Sequence, residues 1–168
     1  FVTVEGSILN AGTANNKITS VKVMRGDVDV TCEYNLTKVS GTLTVTCREI
    51  TLTSADASKP YDGTELTNHT VTITSGSFAD GEGIESYNVG GTRTLVGTTE
   101  NEFIYTLKSN TNPNNYNITR RFGALTVTKA PESITIVAKG AEKTYDGTPL
   151  TEPEYTYTGT LREGDVLI

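Results

Sequence analysis

Few side chains in this 168-residue sequence are of kinds that do chemistry, and nearly all stand in polar, turn-like settings. The densest group is FADGEGIES, residues 78–86, where Asp80, Glu82 and Glu85 gather; Glu163 and Asp165 echo them near the far end. Clustered carboxylates suit Ca²⁺, but Ca²⁺ takes six to eight oxygens, and the EF-hand spacing with its terminal Glu is absent. A solvated acidic loop is the expectation. His69 is the only histidine, which removes three-His zinc catalysis. A Ser-His-Asp triad would have to use it, and no GxSxG elbow accompanies it. GEGIES lacks the third glycine of a dinucleotide fingerprint, and no pattern supports a carboxylate pair for glycoside hydrolysis. Neither catalytic residues nor a cofactor or metal is expected, and the chain does not read as an enzyme.

Two cysteines, Cys32 and Cys47, flank EYNLTKVSGTLTVT. If residues 30–37 and 42–47 form a hairpin with its loop near Val39-Ser40, the two fall opposite each other. A disulfide closing that loop would stabilise by about 3 kcal/mol in the entropic picture and would suit an oxidising exterior. With no CxxC pair and no histidine cluster, metal binding by these thiols is remote. Arg25-Gly26-Asp27 spells RGD, a tripeptide known for integrin recognition. It falls between Val-rich strand patterns, so a turn is the better reading.

The surface that must carry these groups is acidic. Formal net charge is −6 and the pI is about 4.8, which disfavours nucleic acid and anionic membrane surfaces as partners. No apolar run is long enough to span a membrane as a helix. Threonine is unusually frequent, mostly alternating with apolar residues, and this suits pleated, half-buried strands. The opening FVTVEGSILN reads as the middle of a strand, with no basic or apolar leader region.

The elements that position these residues repeat. SKPYDGTELT, residues 58–67, returns 84 positions later as EKTYDGTPLT; EYNLTKVSGTLTVTC from Glu33 returns after 82 positions as NYNITRRFGALTVTK. GSFADGE from Gly76 corresponds to GTLREGD from Gly159, and Gly6 and Gly12 to Gly91 and Gly97. A unit of about 80 to 85 residues exceeds solenoid periods and suits an autonomous domain. The phase divides the chain into the C-terminal part of one unit (1–47), one complete unit (48–130) and the N-terminal part of the next (131–168). Unpaired strands are a hazard, so the two partial units are expected to complement each other, within or between molecules, unless the true boundary lies at the cut.

Period-2 alternation predicts strands that turn Ile50, Leu52, Val71, Ile73, Phe103, Tyr105, Leu107, Leu125 and Val127 inward. Val2/Val4, Leu43/Val45 and Tyr155/Tyr157 follow the same pattern in the partial units. Tyr61-Asp62-Gly63 and Tyr145-Asp146-Gly147 read as turns of the first hairpin of each unit, with Gly supplying positive φ and each Tyr ring buried. The fold class is all-β: tandem small antiparallel β-sandwiches of immunoglobulin-like architecture, with a β-grasp-like sheet as the alternative.

TYDGTPLT, the DGEG segment, YNIT and GTLTVT together resemble the YDG-motif and MBG repeat domains found in tandem in adhesin-like surface proteins of bacteria. The resemblance covers essentially the whole chain. It implies an extracellular stalk or spacer at the bacterial cell surface and carries over no catalytic residues. Cys32 and Cys47 take positions held by Asn114 and Lys129 in the sister unit, so they are peculiar to one unit. The other function open is binding of host glycan or glycoprotein; an aromatic or polar cluster in one unit only would mark it, with Tyr87, Tyr116 and Tyr155/Tyr157 as candidates.

Overall fold

The computed structural model describes residues 1–162 and 164–168. It is all-β: fifteen strands and two three-residue 3-10 turns, Thr31–Glu33 and Pro113–Asn115. The alternation of β-branched and polar residues forms strands wherever a partner strand lies alongside.

Among the described residues, the well-buried core lies in 48–128. β6 (Arg48–Ser54) pairs on one side with β8 (Val71–Ser75), antiparallel, and on the other with β12 (Tyr116–Arg121), parallel, Ile118 lying beside Ile50. β7 (Ala57–Pro60) continues β6 and pairs in parallel with β13 (Ala124–Thr128), which also takes β10 (Gly97–Glu100) antiparallel. The hairpin of β9 (Ile84–Val89) and β11 (Phe103–Leu107) completes the unit. Ile50, Leu52 and Tyr116 from one sheet bury against Phe103 from that hairpin. The ring of Phe103 lies edge-on to Tyr87 at 6.2 Å and to Phe122 at 5.6 Å, the edge-to-face geometry aromatic pairs favour.

The two parallel ladders were not foreseen. Parallel strands need a long crossover, commonly a helix; here everything from the end of β7 to the start of β12 serves instead. A β-grasp-like sheet would carry a helix across one face, and among the described residues the only helical segments are the two 3-10 turns. Most of the expected inward residues are buried or half-buried. Ile73 is the exception at 44% exposed, because β8 is an edge strand and its ladder shifts register between Thr51 and Leu52.

On either side lie the partial units. β1 (Val2–Glu5), β2 (Gly12–Val21) and β5 (Gly41–Val45) form one antiparallel sheet, with β3 (Met24–Arg25) and β4 (Val28–Asp29) as a small hairpin. β14 (Thr135–Ala138) and β15 (Tyr155–Thr158) form another. Among the described residues no ladder joins these strands to residues 48–128. Contrary to the alternation, Val2, Val4, Tyr155 and Tyr157 are exposed: the sheets form, but no second layer covers their apolar faces.

The ladders repeat in phase. Val4 pairs with Ile18 as Val89 pairs with Phe103, 85 residues on. Gly12 pairs with Val45 as Gly97 pairs with Val127, and Leu52 with Ile73 as Ile136 with Tyr157. Even the close approaches recur. A Cβ on Gly76, at φ +76°, would lie 2.0 Å from the Glu49 carbonyl oxygen; on Gly159, at φ +106°, it would lie 2.3 Å from that of Ser133.

Because Phe103 fills the space between sheet and hairpin, Phe103→Ala is expected to destabilise the 48–128 unit by about 3–5 kcal/mol. The exposed neighbour control, Ile104→Ala, should stay within about 0.5 kcal/mol. Urea unfolding followed by tyrosine fluorescence measures both; equal effects would overturn this account of the core.

Candidate functional site

The twice-written YDG phrase folds into a closed local knot. Asp62 Oδ1 accepts from the Thr64 amide at 2.9 Å, the Thr64 hydroxyl at 2.8 Å and Lys59 Nζ at 2.8 Å. Lys59 Nζ also donates to the Thr64 carbonyl oxygen at 2.8 Å. Gly63 takes φ +80° at the bend, where only glycine turns without strain. In the second copy Asp146 receives the Thr148 amide and hydroxyl and Lys143 Nζ at 2.9, 2.8 and 2.7 Å, with Gly147 at φ +78°. All partners lie within a few residues, so the turn forms even where its flanking residues 141–144 are not in strands. The turn does not join two paired strands: β7 pairs with β13, and the excursion 61–70 separates it from β8. It is therefore not the tip of a hairpin. Nor are both Tyr rings buried. Tyr61 is half-buried with the Arg162 guanidinium 5.6 Å above its ring, whereas Tyr145 is 92% exposed. The lysine was the missed residue, though its place three positions before Asp in both copies was the available signal.

Lys59 first, then the Thr64 amide and hydroxyl, hold the Asp62 carboxyl well below the usual carboxylate range; Lys143 first, then Thr148, lower that of Asp146. Both carboxylates are exposed, so the energetic consequence is small and salt-screened.

The cysteines are free and exposed. The hairpin that would set them opposite each other does not form: Cys32 sits in the 3-10 turn 31–33, and β5 pairs with β2 instead. The Cys47 thiol donates to the Asn114 carbonyl oxygen at 3.3 Å. Arg25-Gly26-Asp27 does form a turn, joining β3 to β4 with Gly26 at φ +61°, and Arg25 is held by Glu33 at 2.7 Å. His69 is exposed.

The acidic loop is structural at its centre. Tyr116 donates its hydroxyl to Glu82 Oε2 at 2.6 Å and accepts the Ala79 amide at 3.0 Å. Burial first, then that carboxylate, raises the Tyr116 pKa and keeps the hydroxyl protonated. Tyr116 is thus a core residue, not an exposed binding ring, and Tyr87 is half-buried against Phe103. Glu163 lies outside the described residues; among those described, no three His, Cys, Asp or Glu side chains could gather round a metal ion.

Two sets of contacts join successive units. Asn115 Oδ1 accepts the Ala11 amide at 2.8 Å, and Asn112 and Asn115 both donate to Asn10 Oδ1, at 3.2 and 3.0 Å. At the other junction Arg162 packs over Tyr61. A shallow cleft of about 380 Å³ lies within the complete unit, lined by Asn88, Glu102, Ile104, Arg120 and Phe122 among others. Arg120 donates to the Phe103 carbonyl oxygen at 2.9 Å and lies over the Phe122 ring. In the first partial unit Lys38 and Ser40 take the places of Arg120 and Phe122, so the cleft is not repeated.

A group with depressed folded-state pKa contributes fully above its unfolded value, near 4, and loses that contribution as pH falls through the folded value. The Thr64 amide shift should therefore hold steady through pH 4 and move only at lower pH, and that of Thr148 should move with a midpoint below the ordinary carboxylate value. Asp62→Asn should abolish the Thr64 transition and leave that of Thr148. Two-dimensional amide spectra across an acid titration decide it, and an ordinary midpoint for wild-type Thr64 would contradict the knot. Comparisons with protein-family models, with curated proteins and with solved structures find no match to this chain.

Proposed function

We propose that this chain is a run of YDG/MBG-type repeat domains from a bacterial extracellular surface protein, and that it serves as a stalk or spacer rather than an enzyme. The observation that supports this most is the in-phase recurrence of the ladders, with Ile136–Tyr157 reproducing Leu52–Ile73 in register. Selection for a shared backbone, with surfaces left free to vary, is what a length-setting element requires. The side-chain contacts at both junctions, Asn10 with Asn112 and Asn115, and Arg162 with Tyr61, favour a stiff connection over a freely jointed one. The partners on this reading are neighbouring repeat domains, and a surface exposed to the exterior is its setting.

A second reading, binding of a host glycan or glycoprotein, draws on the cleft between Asn88, Glu102, Arg120 and Phe122. It pairs an aromatic ring with hydrogen-bonding groups in one unit only. Clefts that combine an apolar wall with a few polar groups are the usual form of small-molecule sites.

The full chain screened against immobilised glycans and matrix proteins is expected to bind none of them. Reproducible binding that Arg120→Ala or Phe122→Ala abolishes would replace the spacer with the binding module.

A further inference from the structure

The first 47 residues contain a hairpin that the repeat does not require. Val4 pairs with Ile18 as Val89 pairs with Phe103, 85 residues on, whereas the 3-10 turns Thr31–Glu33 and Pro113–Asn115 stand 82 apart. Three extra residues therefore lie between Ile18 and Thr31, where residues 23–30 take the place of 108–112. At that point the complete unit makes a single turn, the Thr111 amide donating to the Lys108 carbonyl oxygen at 2.9 Å. The longer connection folds back on itself as β3 and β4.

This hairpin is anchored at its base and free at its tip. The Val30 amide donates to the Val23 carbonyl oxygen at 2.8 Å, the Val23 amide to the Thr31 hydroxyl oxygen at 2.9 Å, and Val30 is 5% exposed. Asp29 Oδ1 fastens the exit, accepting the Thr31 amide at 3.0 Å and hydroxyl at 2.5 Å. Every residue from Met24 to Asp29 is exposed. Arg25 pairs with Val28, which leaves Gly26-Asp27 as a two-residue loop. Gly26 at φ +61°, followed by a residue at negative φ, is the pattern of a II′ turn, whose twist suits a hairpin.

The tip thus presents a guanidinium and a carboxylate two residues apart on a defined backbone. Arg25 donates to Glu33 Oε2 at 2.7 Å, the two side chains being 69% and 49% exposed. An exposed pair of this kind is weak and screened by salt, so it orients the guanidinium without withholding it. Carboxylate oxygens are the ligands that hard divalent cations take, and a guanidinium is read by a partner carboxylate through two parallel hydrogen bonds. A receptor holding a divalent cation short of one oxygen ligand, with an acidic side chain nearby, reads both groups at once.

We infer that the β3–β4 hairpin is a docking tip for a host-cell receptor of integrin type. Asp27 completes the coordination of the receptor's divalent cation, and Arg25 pairs with its acidic side chain. What sets this tripeptide apart from a chance occurrence is its place on an anchored, exposed hairpin that the complete unit lacks. Such docking presupposes the extracellular setting proposed above and needs neither the spacer role nor the cleft at Arg120. Purified receptor reads the hairpin wherever the chain resides, so the docking and the setting fail separately.

Biolayer interferometry of the full chain on immobilised, purified RGD-reading integrin ectodomains should show saturable binding in Mn²⁺. EDTA should remove that binding, and a short linear RGD peptide should compete it away. Asp27→Glu keeps the charge at an exposed position but moves the carboxylate by one methylene; binding should weaken about tenfold or more. Arg25→Gln should weaken it likewise, whereas Glu33→Gln, which frees the guanidinium, should not. Arg120→Ala should bind as the wild type does. Two-dimensional amide spectra check that each variant keeps the hairpin. A wild-type chain that does not bind in Mn²⁺ or binds equally in EDTA, binding indifferent to Asp27→Glu, or binding lost with Arg120→Ala would each overturn the inference.

Discussion

The parallel contact between β6 and β12 is the constraint on which the rest of the unit depends. It joins the first strand to the last but one, so it closes nearly the whole unit as one loop of chain, an entropic cost that local pairing would avoid. What offsets that cost is burial: Ile50 and Leu52 are fully enclosed because β12, β8 and the β9–β11 hairpin surround them. At about 1.5–3 kcal/mol for each fully buried aliphatic or aromatic side chain, the contact is worth making only when all the walls are present.

The partial units show the same rule from the other side. Local antiparallel ladders, β1 with β2 and β14 with β15, form without help. The segments that need a distant parallel partner do not become strands. Residues 34–39 differ little from 116–121 in composition, yet only the latter have β6 beside them. Strand formation at these positions is therefore decided by tertiary context, as β-propensity generally is.

This rule also explains what could be read from the residues and what could not. The all-β class, the inward set Ile50, Leu52, Phe103, Leu125 and Val127, and the glycine-dependent turns at 63 and 147 follow from local alternation and turn chemistry, and they are there. The parallel pairing was not legible, because alternation gives a strand's faces but not its neighbour. The same gap misplaced the cysteines: adjacency in sequence suggested that 30–37 would pair with 42–47, whereas β5 takes β2. Tyr116 looked available for a ligand because an aromatic beside Asn-rich turns reads as surface; its hydroxyl is in fact a buried anchor for the acidic loop.

The YDG phrase illustrates a further separation of roles. It is the most repeated stretch of the sequence and among the least dependent on the rest of the structure, since Lys59, Asp62 and Thr64 satisfy one another. The copy at 143–148 keeps the lysine and threonine bonds to its Asp beside segments that are not paired. A motif of this kind specifies where the chain must leave the sheet, not what the sheet binds. Between units it is the variable neighbours that differ: Arg162 takes the place of Ala79 and reaches Tyr61, while Asn10 takes the place of Leu95 and reaches Asn112 and Asn115. Repetition fixes the turn and the ladders; the seam between one unit and the next is set by residues that do not repeat, Asn10 and Arg162, the latter reaching the repeated Tyr61.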